Sequence, residues 1–156
     1  KASSNRTGPV GLERVLGMVQ ARKSLAPSAQ LSFSRPFPVA SIELGAAETE
    51  LLLASNPGIT AIFATTDILA IGAMQAAHRR GMRVPEDLSI LGYDGIMEST
   101  ITFPPLTTIR QPIHEMGELA ARTLLTQILQ PEAPAQQIVL ENSLLLRGST
   151  SAPKMD

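Results

Sequence analysis

Apolar positions along the chain first follow a helical rhythm. Leu12, Val15, Leu16 and Val19 predict a helix over about 11–23, with that stripe facing a core. Arg14 lies off the stripe, in the first turn. Ala26-Pro27 closes the helix, and Pro36 and Pro38 mark an extended stretch. A second helix is expected over about 45–55, with Leu51, Leu52 and Leu53 at its buried end and a turn at Asn56-Pro57-Gly58. The pattern then changes. Residues 59–64 form a short, nearly all-apolar run, as expected of a strand buried on both faces. Thr65-Thr66-Asp67 offers helix caps, and a helix follows over 67–80, closed by Arg79, Arg80 and Gly81. Residues 88–93 read as another buried strand and 106–110 as a third. Ile113, Met116, Ala120, Leu124 and Ile128 define a long amphipathic helix, ended by Pro131 and Pro134. Two final short strands are expected over 137–140 and 143–147. Strand, helix and strand joined by short loops make a βαβ unit, so the fold class is α/β with a parallel, doubly wound sheet.

Ligands in such sheets bind beyond the carboxyl ends of the strands. Two strands here end in polar groups, at Thr65-Thr66-Asp67 and at Tyr93-Asp94. A carboxylate accepts hydrogen bonds and suits a vicinal diol or an amine, and a guanidinium offers a rigid fork of donors. Asp94 with Arg14 would make a polyol-reading pair. The plainer alternatives are that Asp94 caps a turn before Gly95 and that Asp67 caps its helix.

Composition narrows the function classes. Hydrophobic residues are 44% of the 156 and charged residues 17%, which suits one globular core and not a disordered chain. The net charge of -1 gives no electrostatic reason to expect nucleic-acid or membrane binding by these residues. Cysteine is absent, which removes disulfides, thiol catalysis and cysteine-bound metals. No apolar run reaches the roughly 20 residues of a membrane span, and 1–9 has no secretory apolar region. Nucleophile-elbow, Walker, dinucleotide-binding and zinc-protease motifs are missing, so no catalytic residue, metal or cofactor is expected. His78 and His114 are isolated and read as surface helical residues; Glu115 and Glu118 share a solvated face.

Three segments carry a family resemblance: Ala61-Ile-Phe-Ala-Thr-Thr-Asp-Ile-Leu-Ala-Ile-Gly-Ala-Met74, then Gly81-Met-Arg-Val-Pro-Glu-Asp-Leu-Ser-Ile-Leu-Gly-Tyr-Asp94, then Pro105-Leu-Thr-Thr-Ile-Arg-Gln-Pro112. In this order and spacing they resemble the LacI/GalR repressor family, and Arg14-Val-Leu-Gly17 resembles its upstream Arg-x-x-Gly element. The resemblance covers about residues 11–147. It implies the C-terminal part of a periplasmic-binding-protein-like type I core, in which two α/β subdomains hold a small-molecule effector between them. It also implies a homodimer, operator DNA bound only through a separate helix-turn-helix head, and a cytoplasmic protein. Arg14, Thr66, Asp94 and Gln111 match positions lining the family's effector pocket, with Thr66 where Asn is common. The pocket aromatic matches either Phe37 or the Ala40 position. The family dimer contact falls on Ile71, Met74, Ile101 and Phe103.

Departures from the family are also legible. The head and the first half of the core have no counterpart, and the chain is expected to begin after the first strand of the C-terminal subdomain. Residues of about 10–111 and 140–150 would then form that subdomain, with about 112–139 returning to the other. The function expected is sensing of a sugar-type or nucleoside-type effector and dimerisation in a transcriptional regulator. A sugar-binding protein of a transport system, with the same fold, is the alternative.

Overall fold

The computed structural model describes residues 9–34 and 39–153. Phe37 lies outside the described residues. The elements run α1 (Pro9–Leu25), α2 (Ile42–Ser55), β1 (Ala61–Phe63), α3 (Asp67–Arg79), β2 (Ser89–Asp94), a 3-10 turn (Met97–Thr100), β3 (Thr107–Arg110), α4 (Ile113–Leu129) and β4 (Ser143–Leu145). One open sheet has the order β1-β2-β3-β4. The first three strands are parallel and β4 is antiparallel to β3. The architecture is therefore α/β with a parallel-dominated open sheet. Of the two closing strands expected, only Ser143–Leu145 pairs. Residues 137–140 extend beyond the sheet with Val139 82% exposed, so apolar character there found no partner strand.

The core lies between the sheet and α3. Ala70, Ala73 and Ala77 of α3 pack on Leu88, Ile90 and Leu106, all at most 1% exposed. Small residues bring the helix backbone close to the strands, and the alternating inward positions of β2 fill the space. Helix α2 packs on α3 through glycines. A Cβ on Gly45 would strike the Leu69 backbone carbonyl, and one on Gly72 the Ile42 carbonyl. Only glycine permits backbones this close. Both helices start on hydroxyl caps, Ser41 accepting from Leu44 N and Thr66 from Leu69 N.

Three burial expectations need correction. Leu12 and Leu16 of α1 are about half exposed; Leu12 and Val15 line a groove and not a packed layer. Of the three leucines closing α2, Leu53 is buried, whereas Leu51 is 57% exposed. The run over 59–64 yields a three-residue strand at the sheet edge, with Ala61 exposed and Ile62 and Phe63 half-buried. Beside that edge, α1, residues 29–34 and β1 enclose about 1120 Å³. Helix α4 keeps its amphipathic pattern but has no buried residue, and Ile113, Leu124 and Ile128 are each more than 60% exposed. No described helix is long and apolar enough to cross a membrane.

Candidate functional site

Strand β2 ends at Tyr93-Asp94, and β3 ends beside it in register, with Asp94 opposite Arg110. The turn after β2 is held from beneath by Asp67. Its fully buried carboxylate accepts from Gly95 N at 2.8 Å, Ile96 N at 2.9 Å and the Thr108 hydroxyl at 2.5 Å. Gly92 makes room for it, since a Cβ there would collide with that carboxylate. Asp67 therefore fixes the loop that presents Asp94, and the cap of α3 is Thr66 instead.

Asp94 itself has φ 125°, a region that side chains with a Cβ rarely occupy. In a regular strand Tyr93 and Asp94 would point to opposite faces. The distorted backbone at Asp94 breaks that alternation, and both side chains meet Arg14 of α1. The guanidinium lies 3.8 Å from the centre of the Tyr93 ring. Its Nη2 is 3.2 Å from Asp94 Oδ1, and its Nη1 donates to the Thr65 carbonyl at 2.5 Å. Gln111, just past β3, donates from Nε2 to the same Asp94 oxygen at 2.7 Å. Three parts of the chain, far apart in sequence, thus converge at the carboxyl ends of the strands.

The electrostatics are those of a half-buried charge. Burial pushes the Asp94 carboxyl above its ordinary value of 3.8, the Arg14 charge and the Gln111 hydrogen bond hold it down, and the nearby Asp67 pushes it up again. Among the described residues, Arg14 Nε is the buried side-chain donor without a hydrogen-bond partner. A carboxylate, a planar guanidinium with a spare donor and an amide suit a ligand carrying several hydroxyls. A cleft of about 370 Å³ opens beside Asp94 and Gln111, bounded also by Gly95, Arg110 and the start of α4, and Arg14 stands behind Asp94 outside its lining. The larger groove beside β1 touches Thr65 and Thr66 but is mostly apolar, and the charged cluster lies outside it.

Of the residues singled out in the sequence, Arg14, Asp94 and Gln111 come together. Thr66 lies one residue from the Thr65 carbonyl, with its hydroxyl engaged as the cap of α3. Ile101 and Phe103 are 80% and 99% exposed on the surface after the 3-10 turn, next to Met97 at 81%. Met74, by contrast, is 8% exposed and belongs to the core, and Ile71 packs against that core. The resemblance placed the dimer contact on Ile71 and Met74; here both pack inward toward the sheet, which is the plainer reading of a crossover helix. Sequence reasoning missed the Tyr93 ring as the platform for Arg14, because ordinary strand alternation points it away. It also missed Asn142, which donates to the Tyr93 hydroxyl at 2.7 Å.

Residues 17–150 match the family model of the periplasmic binding protein-like domain. The ribose operon repressor of Halalkalibacterium halodurans is 40% identical over 102 residues, 65% of this chain and 31% of that protein. A LacI family transcriptional regulator from Enterococcus faecium, solved with bound ribose, superposes with a TM-score of 0.80 at 33% identity. That match covers 92% of this chain and 53% of the other. The lac repressor dimer bound to operator and an anti-inducer gives 0.74 at 30% identity, covering 89% and 47%. The chain spans about a third of the curated relative it matches and about half of the solved structures. With three convergent segments at the carboxyl ends of a parallel-dominated sheet and a family model matched over residues 17–150, the chain belongs to the periplasmic-binding-protein-like domain family, and within it is similar to LacI-type transcriptional regulators.

Proposed function

We propose that the chain is the effector-sensing and dimerising portion of a cytoplasmic DNA-binding repressor, and that its effector is a small polyol, a sugar before a nucleoside. The observation that carries this reading is the Arg14–Asp94–Gln111 cluster, with a spare buried donor on Arg14. Ribose bound to the Enterococcus regulator supports a sugar. Binding would proceed without turnover. Asp94 accepts from ligand hydroxyls, and Arg14 and Gln111 donate to ligand oxygens. Helix α4 and residues 130–139 would belong to a second subdomain, which the wholly unburied apolar stripe of α4 supports. Ligand between the subdomains would favour one of two arrangements, and a separate DNA-binding head would report the shift.

Titration calorimetry with D-ribose and with a nucleoside, on the complete regulator, tests the reading. Asp94→Asn keeps the shape and removes the charge. A lost hydrogen bond to a charged group costs about 1.5–3 kcal/mol, so affinity should fall about tenfold or more with the fold intact. An unchanged titration would reduce Asp94 to a turn residue.

A further inference from the structure

We infer that Tyr93 and Asn142 are positioning residues that hold the Arg14 guanidinium in place for effector binding, an inference that rests on the reading above. Arg14 is a long side chain from α1, and its contacts with the Thr65 carbonyl and Asp94 fix two points on the guanidinium but not the tilt of its plane. The Tyr93 ring beneath its face, at 3.8 Å, removes that freedom by cation–π attraction and by contact. The ring needs an anchor of its own, because it is only half-buried. Asn142 supplies it from the other side of the sheet end, donating to the phenol oxygen at 2.7 Å.

The topology explains why Asn142 is there. Arg110 pairs with Ser143 across β3 and β4, so the next step in register sets Asn142 against Gln111. The two amides divide the work. Gln111 holds Asp94, and Asn142 holds the residue beside it. Asn142 is also on the segment that returns from α4 into β4. A change in where that segment enters the sheet would therefore reach Arg14 through one phenol. Phenylalanine at position 93 would keep the platform and lose this connection.

The test needs no ligand. In side-chain ¹⁵N–¹H spectra of the 156-residue chain, the Arg14 Nε proton should lie upfield of the other arginines, because it sits over an aromatic face. Asn142→Ala and Tyr93→Phe should each move it toward the others, and the double variant should move it no further than the larger single effect. Asn142 is exposed, so its replacement leaves the fold intact by circular dichroism. An Arg14 signal unmoved in both single variants would overturn the proposal while leaving the effector reading standing. Normal effector binding by an Asp94→Asn variant would overturn the effector reading, and the shifts expected for Asn142→Ala and Tyr93→Phe in the chain with Asp94 intact would stand.

Discussion

Asp94 combines an uncommon backbone conformation, a half-buried charge and two partners from distant segments. Its ionisation therefore has a sign that can be worked out. Burial is the larger influence and raises the folded-state value above 3.8, against Arg14 and Gln111 and with Asp67. Between the unfolded and the folded value, the folded chain holds the proton and the unfolded chain does not. Stability from this group is thus fully present below the ordinary value and is lost as pH rises through the folded one. Thermal melts of the wild-type chain and of Asp94→Asn should show a difference that declines as pH rises through this window and then levels off. A difference that grows with pH would mean that Arg14 dominates over burial. The residue scale was partly legible in the sequence. Arg14, Asp94 and Gln111 could be named because a strand end, a guanidinium and an amide announce themselves by type. Tyr93 and Asn142 could not, because their roles depend on a distorted backbone and on a strand register that no local pattern encodes.

At the scale of elements, the glycine contacts between α2 and α3 make a specific claim. Gly72→Ala would be harmless on an exposed helix and even favourable by helix propensity. Here the new methyl must displace the Ile42 carbonyl and the start of α2. Overpacking of this kind costs about 1–3 kcal/mol, which urea denaturation should report as a lower midpoint with an unchanged slope. Helix α3 was the most legible element, since cap, periodicity and closing glycine agree with one another. The elements that differed, α1, β1 and α4, did so in one respect. Their apolar patterns are real, but the pattern states only that a face seeks burial and not whether these residues supply the cover. Residues 137–140 fail for the same reason, having strand composition without a strand to pair with.

For the whole molecule, two exposed apolar surfaces are candidates for the proposed contact between copies. One is Met97, Ile101 and Phe103 beyond the 3-10 turn, and the other is the stripe of α4. If the first makes the proposed homodimer, Phe103→Glu should give a monomer by light scattering with its helical signal retained, and Leu124→Glu should stay dimeric. The reverse result would assign assembly to α4. The unburied stripe of α4 also bears on the heat capacity of unfolding. That quantity measures apolar surface newly hydrated, and a fully packed domain of this length would give roughly 2 kcal/mol/K. A helix with no buried residue adds comparatively little when it melts. Calorimetry of the monomeric chain should therefore return an increment well short of that figure. The helical signal should begin to fade before the calorimetric peak, because the seventeen residues of α4 are not bound to the cooperative unit formed by the sheet, α2 and α3. A full-sized increment from a monomer would mean that α4 lies against the rest of the chain in solution.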